Sequence, residues 1–268
     1  MRYMWGSMDK MNCFYTMNLG ALFGCVFVFL FLVSLGGLFF GRRFSKKKSG
    51  IDKEVSDFIP STILGLLSLI MGFTFSMSIS RLEHRKELVL REANAIGTVY
   101  LRSGLLNSEH TQAVRNLLKQ YVDTRLDFFS VGVDFTQIEK TEERARSIQN
   151  KLWEYVTQVT RKDRSAVQGL FVASVNDLID LQAERFFALQ NTVPTVVYWV
   201  ILLLASIGLS SRFFIRGMRG QGGCAGAALL AILFGLVFAL IHDLDRPRSG
   251  LTTVSQEAMS SFQKSLSD

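Results

Sequence analysis

The 268-residue sequence is poor in residues that often carry chemistry or interrupt a helix, with only three cysteines, three prolines and three histidines. Cysteines so few and so widely separated exclude a disulfide framework and a cysteine-based zinc site. A hydrophobic content of 49% excludes a disordered chain. We therefore expect a folded protein without a metal or a cofactor.

Catalytic signatures are also missing. The sequence has no His-Glu-x-x-His, Cys-x-x-Cys or Gly-x-Ser-x-Gly motif and no Walker-type or dinucleotide-binding loop. Glu83 and Glu87 lie one helical turn apart, which is typical of ion-pair partners on a charged helix. His242 beside Asp243 is interpreted as a structural or anchoring pair at the end of an apolar block. We therefore expect no enzymatic activity.

Charge is missing from four blocks of the sequence. These blocks comprise residues 17–40, 58–80, 193–211 and 222–241. Each has about 20 residues, enough to cross ~30 Å of hydrocarbon as a helix. The basic run 42–48 follows the first block as a stop-transfer signal would, so this block is predicted to be an uncleaved anchor. The sequence thus predicts four membrane-spanning helices.

The net charge of +7 is distributed unevenly along the chain. Residues 81–190 are nearly balanced, with 16 basic and 15 acidic residues, so the surplus flanks the apolar blocks. Basic flanks bind anionic lipid, whereas a nucleic-acid-binding protein concentrates basic charge on its folded domain. Membrane lipid is therefore the expected partner and nucleic acid is not. The two sets of membrane-flanking loops carry eight and nine basic residues, so charge does not decide the orientation.

Residues 81–192 contain no alternating run long enough for a strand, which predicts an all-α protein with a helical domain outside the membrane. The second span continues to about Leu106, and Asn107 provides a capping start for the next helix. Five segments are predicted: an N-terminal segment 1–16, a first helix pair 17–80, the helical domain 81–192, a second helix pair 193–242 and a tail 243–268.

Small residues punctuate the apolar blocks. The pairs Gly20 with Gly24 and Gly222 with Gly226 have the spacing of close-packing motifs in membrane helices. Such pairs predict tight helix contacts, either within one subunit or between subunits.

The second block has the most distinctive pattern. Gly65, Leu69, Phe73 and Ser76 follow one stripe at spacings of four, four and three, and Ser80 extends it toward a hydroxyl-rich end. A ring of such helices would form an apolar constriction that opens into a hydroxyl-lined mouth, with charge set there by Arg81 and Glu83. The other interpretation of the stripe is ordinary serine-mediated helix packing.

Two parts of the sequence resemble a known family. The first runs from Met71-Gly72-Phe73 through Ser80-Arg81 and Glu83-His84-Arg85 to Glu-Ala-Asn-Ala-Ile-Gly-Thr, which ends at Thr98. The second is the Asp-x-Asp-x-Pro-x-x-Gly run, with Asp243, Asp245, Pro247 and Gly250. Both are similar to bestrophin ion channels and, more closely, to a bacterial bestrophin-like family.

The resemblance implies five subunits around one axial pore in a bacterial inner membrane, with the helical domain in the cytoplasm. It implies that the second span lines the neck, with Leu69 and Phe73 at neck positions of the family and Gly65 at a third. The four residues of the second run would form a structural turn. Gly65 departs from the larger neck residues of bestrophins, and the acidic calcium clasp of the animal proteins is not visible.

Together, these patterns predict a homo-oligomeric ion channel that conducts inorganic ions. The alternative is a non-conducting membrane scaffold or sensor whose helical domain binds a partner.

Overall fold

The computed structural model describes residues 17–44, 53–132, 134–162 and 165–266, and every regular element within these ranges is an α-helix. The predicted N-terminal segment 1–16 and most of the basic run 42–48 lie outside them. The helices are α1 (Leu19–Phe44), α2 (Lys53–Ser103), α3 (Ser108–Ser130), α4 (Phe135–Lys162), α5 (Ala166–Gln190), α6 (Thr195–Met218), α7 (Cys224–Asp245) and α8 (Glu257–Ser265).

The chain forms two compact units. The span unit consists of the described residues of Met1–Ser80 together with Thr192–Arg246. The helical unit consists of Arg81–Asn191 and the chain from Pro247 onward. Helix α2 contributes its first part to the span unit and its second part to the helical unit.

The predicted all-α architecture is confirmed, and four helices are long and apolar enough to cross a membrane. Helix α2 begins earlier than expected, because Pro60 lies inside it rather than at its start. The predicted cap at Asn107 is also confirmed: the His110 backbone amide donates to Asn107 Oδ1 at 3.0 Å. This bond satisfies one of the amides that the first turn of α3 leaves without a helical partner.

The surface of the span unit is strongly apolar. Large exposed side chains occur on all of its helices and include Phe29, Phe39, Trp199, Leu203 and Leu233. So much exposed apolar surface would be unfavourable in water and is suited to the hydrocarbon interior of a bilayer.

Helices α1 and α6 cross at glycines. A methyl group added at Gly37 would overlap the Ser210 carbonyl, one at Gly41 would overlap the Phe214 carbonyl, and one at Gly217 would overlap the Leu38 carbonyl. Backbones that approach this closely gain dispersion and weak polar contacts, which drive helix association in lipid.

The glycine pairs predicted from sequence do not make this contact. No neighbouring atom lies within 4 Å of a methyl group placed at Gly24 or Gly222. At Gly20 such a methyl meets only the Asn18 side chain, and at Gly226 only the edge of Phe213 at 4.0 Å. The tight crossing within the chain is therefore formed by a different pair with the same spacing, Gly37 and Gly41.

The helical unit is built around an antiparallel hairpin of α3 and α4. Arg125 pairs with Glu142 near the connecting loop, and the rings of His110 and Tyr155 meet near the far end. The buried core also receives side chains from α2, α5 and α8. It includes Ile96, Val99, Leu118, Tyr121, Leu152, Phe171, Leu178 and Met259.

We predict that Gly41→Ala destabilises the span unit by about 1–3 kcal/mol, because the added methyl overpacks a backbone contact that cannot shift freely. The measurement is the thermal unfolding midpoint of the purified protein in detergent. Gly24→Ala is the matched control, since it adds the same methyl to the same helix where nothing lies within 4 Å. Equal midpoints for the two variants would contradict the assigned crossing.

Candidate functional site

The five stripe residues of α2 all lie on a side of the helix that contacts little else in the chain. Gly65, Leu69, Phe73, Ser76 and Ser80 are exposed, with Leu69 at 54% and Phe73 at 67%. At about 100° per residue they fall within an arc of about 80°. We call this stripe the free face of α2.

The opposite side of α2 carries the packing. Leu67, Met71, Thr74 and Ser78 are buried in the span unit. Nothing lies within 4 Å of a methyl group placed at Gly65, whereas one placed at Gly208 on α6 would lie 2.8 Å from Leu64 Cδ2. The two sides of α2 therefore differ: one is fully used within the chain and the other is not.

The hydroxyl groups follow the same division. On other positions of α2, Ser68, Thr74 and Ser78 donate to the carbonyl one turn earlier at 2.8–3.0 Å. Ser76 and Ser80, on the free face, form no hydrogen bond within the described part of the chain. Because an unpaired hydroxyl is unfavourable in hydrocarbon, this face is suited to water or to another protein surface.

The structure separates the two residues predicted at the mouth. Glu83 is exposed and continues the free face by one further turn, whereas Arg81 is half-buried on the packed side. The ion pairs expected for Glu83 and Glu87 are not formed within the described residues. Of the predicted mouth pair, only the carboxylate lies on the free face.

Arg85 has a different role from the neighbouring charges. Its side chain is buried and caps the carboxyl end of α5, with Nε donating to the Ala188 carbonyl at 3.0 Å and Nη2 to the Asn191 carbonyl at 2.8 Å. A guanidinium satisfies these end carbonyls and complements the negative end of the helix dipole. Arg85 thus fastens α5 to α2 within the helical unit.

Seven residues beyond Arg85, Glu92 is the centre of a buried ionic network. Its carboxylate contacts Arg125 Nε at 2.8 Å and Arg185 Nη1, and it accepts a hydrogen bond from the Tyr121 hydroxyl at 2.7 Å. Arg125 extends the network to Glu142 at 2.8 Å. Four helices, α2, α3, α4 and α5, therefore meet at fully buried charges.

Burial and charge act in opposite directions on these groups. Burial alone would raise the pKa of Glu92, but the guanidiniums of Arg125 and Arg185 lower it to about 2. Burial and the neighbouring Glu92 carboxylate raise the pKa of Tyr121 well above its usual value. Glu92 is thus held ionised, and Tyr121 is held protonated as its donor.

The tail is bound to the same region. Arg248 Nη1 donates to the carbonyls of Phe128 and Gly132, at 2.8 and 3.1 Å, and its guanidinium lies over the Phe128 ring at 3.9 Å. Burial, followed by repulsion from Arg125, lowers the pKa of Arg248 to about 10, so it stays charged at neutral pH. Arg248 caps α3 as Arg85 caps α5.

The residues expected to form a turn are divided between a helix and a loop. Asp243 and Asp245 lie in the last turn of α7, and Pro247 and Gly250 lie in the loop that follows. Both oxygens of Asp245 accept from the Val193 backbone amide, at 3.0 and 2.9 Å. Gly250 has a φ of 115°, a conformation that side chains disfavour.

His242 and Asp243 are both buried but have different surroundings. His242 Nε2 accepts from Arg246 Nε at 2.9 Å, and Arg246 Nη1 donates to the Met17 carbonyl at 2.7 Å. This chain of contacts ties the end of α7 to the residues that precede α1. Among the described residues, no group of three or more His, Cys, Asp or Glu side chains has an arrangement that could hold a metal ion.

The fold and these sites define a helical membrane protein of the bestrophin type. The model of the bestrophin-like domain family matches residues 26–259, and the chain belongs to that family. Comparison with curated proteins finds no match.

Solved structures support the fold over nearly the whole chain. A crystal structure of a bacterial bestrophin homologue from Klebsiella pneumoniae, with an isoleucine-to-threonine substitution, matches with a TM-score of 0.64 at 14% identity, covering 92% of this chain and 99% of the other. An aspartate-to-alanine variant of the homologue gives 0.66 at 15% identity, covering 91% and 97%. At such identities the likeness establishes the fold alone.

Sequence reasoning missed the ionic network and the two arginine caps. Glu92 lies inside the run that carried the family resemblance, but its partners are 33, 29 and 93 residues away in the chain. Apolar neighbours on the same helix were the available signal. Val89, Ala93 and Ile96 are buried, so Glu92 belongs to the packed side of α2.

We predict that the helical unit loses stability in acid because of Glu92. Its pKa in the folded state, about 2, lies below its ordinary value of 4.5, so the ionised carboxylate stabilises the fold above pH 4.5. This stabilisation, about 3 kcal/mol, is lost as the pH falls from 4.5 to 2. The measurement is the unfolding midpoint by circular dichroism across this range.

Glu92→Gln removes the titration and leaves two buried guanidiniums undercompensated, so we expect a lower midpoint at neutral pH, by about 3–5 kcal/mol, and a weaker dependence on acid. Glu154→Gln, at an exposed position of α4, should behave as the wild type. An acid profile of Glu92→Gln as steep as that of the wild type would contradict the assignment.

Proposed function

We propose that this protein is a pentameric ion channel of a bacterial inner membrane, with its pore lined by α2. The observation that carries the proposal is the free face of α2, on which Leu69, Phe73, Ser76 and Ser80 are exposed in a single subunit. In a closed ring, this face surrounds the axis. Membership of the bestrophin-like family supports the same assembly, because bestrophins are ion channels.

The order of residues along the free face suits conduction. Leu69 and Phe73 would form rings of apolar side chains, which gate by excluding water. Ser76 and Ser80 follow toward the helical unit, and their unused hydroxyls can hydrate an ion that has passed the apolar rings. Gly65 leaves open space on the other side of these rings. The constriction would therefore be short and asymmetric.

The helical unit would lie in the cytoplasm. The second candidate function, a non-conducting scaffold or sensor, is favoured by the exposed apolar side chains that the helical unit also carries, such as Leu101 and Leu170. A protein partner could cover them without any pore being formed.

We expect the purified protein, released from detergent in native mass spectrometry, to have the mass of five chains. A ring is necessary for an axial pore, since a helix face surrounds an axis only when the rotation between subunits closes. A mass of one or two chains would contradict the channel proposal and favour the scaffold.

We expect Phe73→Ala to widen the constriction and raise the single-channel conductance in planar bilayers, because it replaces an apolar ring by methyl groups. Phe39→Ala on α1 is the matched control: it makes the same truncation at a side chain that is 68% exposed, against 67% for Phe73. If both variants conduct like the wild type, Phe73 does not form the constriction.

A further inference from the structure

Beyond Ser80, the free face of α2 continues with two carboxylates. Glu83 and Glu87 follow Ser80 by three and seven residues, so they fall within the same arc of about 80° as Phe73 and Ser76. Both side chains are exposed. As described above, neither forms an ion pair within the described part of the chain. The charge on this stretch of the face is therefore negative and locally unneutralised.

The arginines near this position are committed elsewhere. Arg81 is half-buried on the packed side, and Arg85 is buried on the end carbonyls of α5. Arg91 lies 3.6 Å from the Glu184 carboxylate on α5, so its charge is compensated. None of these three guanidiniums opposes Glu83 or Glu87 on the free face.

Two further basic side chains, His84 and Lys86, are exposed on the same stretch of α2. They lie on opposite flanks, about 70–90° from the centre of the free face. The centre of the face thus carries carboxylates, and its flanks carry the remaining basic groups. This is the order expected if the centre lines an aqueous path and the flanks approach neighbouring subunits.

We propose that the pore selects cations over anions and that Glu83 and Glu87 determine this selectivity. The inference rests on the proposed channel function. In a pentamer the two residues become two rings of five carboxylates at the end of the apolar constriction. Charge of one sign in a confined aqueous entrance concentrates counter-ions and repels ions of like charge, and rings of acidic side chains serve cation passage.

The test is the reversal potential of the full-length protein in planar bilayers with a potassium chloride gradient. We expect the wild type to favour potassium over chloride. The double variant Glu83→Gln/Glu87→Gln should lower the permeability ratio by about ten-fold, the lower end of the range by which focused charge raises local counter-ion concentration. Glu83→Arg/Glu87→Arg should favour chloride.

The matched control is Glu139→Gln/Glu143→Gln, which removes two exposed carboxylates at the same spacing on α4. It should keep the wild-type ratio. An anion-selective wild type would overturn the inference and leave the channel proposal standing. A cation-selective wild type whose ratio is unchanged in Glu83→Gln/Glu87→Gln would overturn the assignment to these residues. Absence of current in the wild type would overturn both proposals.

A second measurement needs no variant. Charges exposed to water are screened by salt, with a Debye length of about 30 Å at 0.01 M and about 3 Å at 1 M. If Glu83 and Glu87 set the selectivity, the wild-type ratio falls as the salt concentration is raised at a fixed gradient. A ratio independent of salt would assign the selectivity to another part of the pore and contradict the inference.

Discussion

The packed side of α2 is the constraint on which the rest of the structure depends. Over its 51 residues the helix turns one side toward its own chain, with Leu67 and Met71 in the span unit and Arg85 and Glu92 in the helical unit. Because a helix has 3.6 residues per turn, committing this side to packing leaves the opposite side free. The free face is therefore a geometric consequence of how α2 packs.

The two units solve the problem of packing in different ways. In the span unit, where water does not drive apolar surfaces together, glycines let α1 and α6 approach at backbone distance. In the helical unit, apolar residues surround a network of buried ions centred on Glu92. Such a network is weak evidence for added stability, but removing one member leaves uncompensated charge, so it demands a single arrangement of four helices.

Arginine has a recurrent role in this fold. Arg85 and Arg248 both leave their own segments to satisfy carbonyls at the end of another helix. These contacts remove basic charge from the surface of the helical unit near α2. The polarity of the free face thus depends on packing decisions made on the other side of the same helix.

The sequence by itself determined the helical class, the four apolar spans, the cap at Asn107 and the periodic stripe from Gly65 to Ser80. These features follow from short-range rules: hydropathy over about 20 residues, side-chain oxygens at helix starts, and the spacing of residues along one helix. The position of Glu83 beyond that stripe follows from the same spacing.

Only the tertiary structure decided which glycines make the close crossing, which charges are buried and which arginines are caps. Gly20 and Gly24 have the same spacing as Gly37 and Gly41, and nothing local distinguishes the pairs; what differs is the carbonyl that α6 brings opposite each one. Likewise, Arg81 and Arg85 are one turn apart, yet only Arg85 meets the end of α5. Such choices depend on contacts between residues far apart in the chain, which no local pattern encodes.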